Sequence, residues 1–185
     1  QACSALTHQA IGAQPYDKNL LQTVLRLAES GNWLTEHPAV ALYYHLCQAL
    51  LEPEQPAHFE SWKTVLAAHA GLFAPVELRG LHLLGINYCI RRINEGGVRF
   101  NQDLFELYSA ALQSDVLLEN GQLSRFAFKN ITALALRLGE FDWAEGFIGK
   151  YSPAVDARHR RNYTDYNLAK LHHARHDHSK AMRLL

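Results

Sequence analysis

The sequence predicts an all-α protein built of antiparallel helical hairpins. Apolar residues recur at i, i+3, i+4 and i+7 along most of the chain, the spacing that gives a helix one greasy face. Period-2 alternation is nearly absent, so strands are not expected. Proline, glycine and capping residues punctuate the chain often enough to leave nine or ten helices with short links, and short links force neighbours to pack antiparallel.

The elements follow in order. A terminal helix is expected over Cys3–Ile11. Pro15, Tyr16 and Asp17 open a second helix through Ser30, whose apolar positions are Leu20, Leu21, Val24, Leu27 and Ala28; Gly31 ends it. The Thr35–Pro38 stretch opens a helix to Leu51, and Pro53 and Pro56 follow as breakers. A helix from His58 to His69 stops near Gly71. Pro75 opens a long helix to Asn94, closed by Gly96 and Gly97. Asn101 is expected to cap a helix running to Leu118, with Asn120-Gly121 as its stop. Ser124 caps the next, which breaks at Gly139. Asp142 and Glu145 have the spacing of a capping box for a helix to Tyr151, stopped by Pro153. A helix over Ala157–Arg175 and a last one from Ser179 complete the series.

Composition narrows the function. Hydrophobic residues make up 48% of the 185, enough for a substantial core. Eighteen basic residues balance eighteen acidic ones, so the basic excess of a nucleic-acid binder is missing. The one basic cluster, Arg158-His159-Arg160-Arg161, sits at an expected helix start and reads as a solvated turn. Three cysteines, Cys3, Cys47 and Cys89, are widely spaced. Cys47 and Cys89 fall in apolar helical patterns, which favours a reducing compartment over a disulfide framework. No run of eighteen apolar residues exists, so no membrane partner is expected, and the placement expected is cytoplasmic. No Cys-x-x-Cys pair, phosphate loop or nucleophile elbow occurs, so neither an enzyme nor a cofactor is expected.

One pattern recurs. Phe128, Ile131, Thr132, Gly139, Phe141 and Ala144 combine a large aromatic, a small residue, a Gly-acidic-aromatic turn and a small residue early in the next helix. Leu168, Ala169, His172, His178 and Ala181 repeat it about 37 residues on, and Asn130 and Asn167 fall in register. Leu81 with Leu84-Gly85-Ile86-Asn87-Tyr88 is an earlier copy, and a weaker one centres on Tyr43, Leu46 and Cys47. This pattern resembles the tetratricopeptide repeat, near its usual period of about 34; Ala135 departs from the usual tyrosine. The chain is similar to bacterial tetratricopeptide-like proteins.

The resemblance implies one array over residues 1–185, with repeats near 38–71, 76–119, 124–152 and 157–185, stacked as a right-handed α-α superhelix. Both ends read as cuts in a longer protein, with self-association through exposed end faces as a consequence. In that family first helices line a concave groove that binds proteins or peptides. By register the groove would hold Arg79, His82 and Ile86, then Lys129, Ala133 and Arg137, then Tyr163, Tyr166 and Lys170. Some members clamp a carboxylate with Lys and Asn. Lys129 and Asn167 match two such positions, but Ala133 stands where Asn should be, so the full clamp is missing. The expected function is a non-catalytic scaffold for a peptide or protein; the alternative is an architectural segment of a larger protein. A third reading uses the late histidines. His172 and His176, spaced i, i+4, would share a helix face suited to a divalent metal. The repeat explains them otherwise: His172 and His178 as packing aromatics, His176 in place of the turn glycine.

Overall fold

The computed structural model describes residues 18–185, which divide along the chain into two compact units after Arg91. The expected Cys3–Ile11 helix, Cys3 itself and the Pro15–Asp17 helix start lie outside the described residues. About the rest the sequence reading is right in class: the described chain is helical, with one two-residue hairpin as its only sheet.

The first unit begins with α1 (Lys18–Glu29), a single turn α2 (Trp33–Glu36), α3 (Pro38–Leu51) and α4 (Pro56–His69), followed by a 3-10 turn over Ala70–Leu72. Helix α5 (Pro75–Asn94) runs up to the boundary and just past it. Pro38 and Pro56 sit in the first turns of α3 and α4, where a missing N–H loses no bond. Helices α3 and α4 pack as the closest hairpin of the unit. Their core holds Leu42, Leu46, Phe59 and Trp62, none of them accessible. The Phe59 ring lies 5.5 Å from Trp62 on one side and 4.4 Å from Tyr88 of α5 on the other. Cys47 and Cys89 are buried thiols inside helices, as their apolar surroundings imply. On α1, Leu21 and Leu25 are buried, whereas Leu20, Val24 and Leu27 of the expected apolar face are exposed.

The second unit comprises α6 (Phe100–Gln113), the strands β1 (Leu118–Glu119) and β2 (Gln122–Leu123), then α7 (Arg125–Leu138), α8 (Phe141–Tyr151), a 3-10 turn over Ser152–Ala154, α9 (Ala157–Ala174) and α10 (His178–Leu184). Helix α7 packs on α6, α8 and α9, and α9 packs on α10. The small residues expected at close approaches, Thr132, Ala144, Ala169 and Ala181, are all buried. Phe128 of α7 is fully buried, its ring 5.5 Å from Phe147 of α8.

Three expected boundaries are corrected. Helix α6 ends at Gln113, not Leu118, and Asn101 lies inside it; its Nδ2 donates to the Val98 carbonyl at 2.7 Å. Asn120 and Gly121 do not stop a helix. Their φ angles of 52° and 75° form the two-residue turn between β1 and β2, for which Asn-Gly is the favoured pair. Asp142 does not cap α8: the N-cap is Glu140, without a side-chain cap bond. Asp142 and Glu145 instead accept from Arg175 at 2.5 and 2.6 Å, tying the end of α9 to the start of α8. Arg175 holds the Glu145 carboxyl below its ordinary range.

Four helices end in one way. Gly96, Asp115, Gly139 and His176 all take positive φ, and each next amide donates back five residues: Gly97 to Arg92, Val116 to Ala111, Glu140 to Ala135, Asp177 to His172. This six-to-one bond with a left-handed residue is the Schellman ending, which satisfies carbonyls a helix end would leave bare. It turns the chain sharply, so the next helix folds back. Gly139 and His176 are 37 residues apart, the offset of the sequence pattern. Glycine takes this conformation freely, whereas a side chain costs about 1 kcal/mol there. Gly139→Ala is therefore expected to destabilise the chain by about 1 kcal/mol, and His176→Gly to stabilise it by about 0.5–1 kcal/mol. Urea unfolding of both variants checks the opposite signs.

Candidate functional site

The second unit contains a cavity of about 680 Å³ lined by α7, α9 and α10. Its surface is mostly aliphatic: Ala133 and Leu136 from α7, Ala169 and Ala174 from α9, Ala181, Met182 and Leu185 from the last stretch. Small side chains create the space. Alanine at 133, 169 and 181 lets the helices approach at their backbones while leaving a trough between their outer faces. Five polar side chains share the lining: Arg137, Tyr166, Lys170, His173 and His178. None of the lining residues is acidic.

The polar groups are positioned by their own helices. Tyr166, Lys170 and His173 follow an i, i+4, i+7 row on α9, so one face carries all three. The Lys170 ammonium sits 5.1 Å from the centre of the Tyr166 ring, a cation–π contact that holds the lysine over the groove. Arg137 is steadied by a 3.2 Å hydrogen bond from Nη1 to Asn101 Oδ1 of α6. The His173 and His178 rings lie 5.1 Å apart across the α9–α10 turn. His178 is exposed at the first position of α10 and does not act as a packing aromatic.

The residues expected in a groove divide. Ala133, Arg137, Tyr166 and Lys170 come together in this cavity. Lys129 is exposed on the same α7 face two turns before Arg137, outside the cavity lining. Tyr163 is half-buried, its ring centre 6.4 Å from that of His159 with the two rings edge to face. Asn167 is 1% exposed, its Nδ2 without a hydrogen-bond partner, so it faces the packed interior. In the first unit Arg79 is half-buried, and His82 and Ile86 are both 3% exposed, closed to any large partner. Leu136, His173, His178 and Met182 were not anticipated; continuing the α9 row one step past Lys170 would have found His173.

The basic cluster is spent locally. Asp156 caps α9 by accepting from the Arg158 amide, and its carboxylate also takes the Arg158 guanidinium at 2.8 Å, which pulls its pKa far below the usual range. Arg160 donates to the Pro153 and Val155 carbonyls. Arg161 lies 3.6 Å from Asp165. A cluster engaged in this way closes a helix start.

The metal reading of the late histidines meets a geometric obstacle. Helix α9 ends at Ala174, and His176 lies beyond it at φ 62°, so His172 and His176 do not share a helix face. Among the described residues no group of three or more His, Cys, Asp or Glu side chains is placed to hold a metal ion. No helix among them is long and apolar enough to cross a membrane.

Comparison with protein-family models, with curated proteins and with solved structures yields no match to this chain.

Proposed function

We propose that the chain is a tetratricopeptide-like scaffold whose second unit binds an acidic peptide segment carrying apolar side chains. The observation that carries this reading is the 680 Å³ trough of small aliphatic side chains, with Arg137 and Lys170 at its sides and no carboxylate in its lining. An apolar side chain entering it is desolvated at about 25 cal/mol per Å² of surface removed from water. Flanking Asp or Glu residues meet two cations already held in place, which favours rapid and oriented association. Tyr166, 40% exposed, adds a flat amphipathic wall with few rotamers to lose. The left-handed turns at Gly139 and His176, in register with the sequence repeat, support stacked hairpins and hence a superhelical array. Buried reduced thiols at Cys47 and Cys89 support a cytoplasmic setting.

Fluorescence anisotropy with a labelled peptide alternating Glu and Leu tests the proposal. Binding is expected to weaken about tenfold in the Arg137→Glu, Lys170→Glu double variant, and to vanish when Ala133→Trp fills the trough. It should also fall as salt rises. A Gln-Leu peptide binding as tightly as the Glu-Leu one removes the charge argument. Unchanged affinity in Ala133→Trp removes the groove.

A further inference from the structure

In the first unit, His45 of α3 and His58 of α4 face each other with their Nδ1 atoms 3.2 Å apart. No function assigned above uses them. We propose that this pair is a two-imidazole site for a divalent transition metal, zinc or nickel, bridging the α3–α4 hairpin. The separation carries the argument. Two imidazole nitrogens on one tetrahedral zinc, each at about 2.0–2.1 Å, lie about 3.3–3.4 Å apart. The pair stands within about 0.2 Å of that edge, so an ion needs almost no rearrangement of the rings.

The site is built on rigid elements. The two residues lie on the closest-packed hairpin of the unit, next to the buried Phe59–Trp62 stack. Tyr44 walls it, its ring edge-on to His45 at 5.1 Å and to His58 at 5.8 Å. The Tyr44 hydroxyl is occupied by Glu29 at 2.6 Å and Gln48 at 3.2 Å, so it is not a ligand. Both histidines are half-buried, open enough for an ion to enter and sheltered enough to strengthen its bonds. Burial, with the neighbouring His58, disfavours the charged form of His45. With each ring proton on Nε2, both Nδ1 lone pairs are free to be shared by one ion between the rings. Water completes the coordination, because among the described residues no third His, Cys, Asp or Glu is placed to join the pair.

The rival is a plain N–H···N hydrogen bond between neutral rings. Calorimetric titration of the whole chain with Zn²⁺ and Ni²⁺ separates the two. The proposal expects one saturable equivalent, at least tenfold weaker in His45→Gln and in His58→Gln, and unchanged in the His172→Gln, His176→Gln double variant. X-ray absorption of the zinc-loaded protein should show two imidazole nitrogens at about 2.0–2.1 Å, a readout that needs no variant to fold. Absence of saturable binding, loss in the late-histidine variant instead, or sulfur in the zinc shell would each overturn it.

Discussion

Phe128→Ala is expected to unfold the second unit at a denaturant concentration where the parent is still native, with a loss of about 3–5 kcal/mol. The reasoning starts from volume. The Phe128 ring is wholly inaccessible and sits against Phe147, which in turn lies 5.3 Å from Trp143 and 5.2 Å from Tyr151. Trp143 also meets Phe105 of α6 edge-on at 4.7 Å. Removing the first ring leaves a cavity bordered by rigid aromatics, which cannot collapse to fill it, so the lost contacts are not replaced. A domain of this size has a total stability of about 5–15 kcal/mol, so the loss is a large share of it. Phe126 is the internal control. It lies on the same helix, two residues earlier and 59% exposed, so Phe126→Ala should shift stability by no more than about 0.5 kcal/mol. Trp143 is the second unit's single tryptophan, so in a Trp33→Phe, Trp62→Phe background its emission during urea unfolding reports that unit directly. Equal midpoints for the two alanine variants would refute the packing account.

The contrast between these two phenylalanines shows what a sequence discloses and what it withholds. Helical period places Phe128 on an inner face with Ile131 and Thr132, because all three lie within one turn of each other. Both ends of α5 were legible because each carries its own chemistry: Pro75 cannot continue a helix from before, and Gly96 takes the left-handed ending without strain. Asn120-Gly121 misled because a helix stop and a hairpin turn draw on the same left-handed preference, and two-residue strands are too short to show alternation. The Asp142–Glu145 box failed through a distant competitor: Arg175, 30 or more residues on, offers these carboxylates a full charge where the backbone offers an amide. The groove was legible by halves. Register put Arg137, Tyr166 and Lys170 on outward faces, but whether a face meets water or a neighbour depends on the next helix, which register does not describe. Asn130 and Asn167 occupy equivalent repeat positions, yet the first is exposed and the second buried. His45 and His58 had no motif to betray them; thirteen residues apart, they meet only because α3 and α4 pack as a hairpin.

His82 supplies the second large effect, a loss of stability on mild acidification. It is 3% exposed on α5, and its Nδ1 has no hydrogen-bond partner. Burial therefore disfavours the imidazolium and moves its pKa below the ordinary 6.5. The unfolded chain binds this proton more readily than the folded one, so stability rises with pH through this window and falls as pH drops below about 6.5. The slope is bounded by about 1.4 kcal/mol per pH unit for this one proton. His45 is displaced in the same direction, again chiefly by burial, so the parent slope contains both groups. The carboxylates held low by ion pairs, Glu145, Asp156 and Asp177, titrate further down and leave this interval nearly untouched. His82→Leu keeps the side chain's bulk and removes the proton site together with its unmatched nitrogen. It should match or exceed the parent at pH 7 and lose distinctly less on descent to pH 5, as read from urea midpoints at half-unit steps. Parallel slopes for the two proteins would mean that water or a moving backbone reaches His82, and that the interior of the first unit is more open than its burial implies.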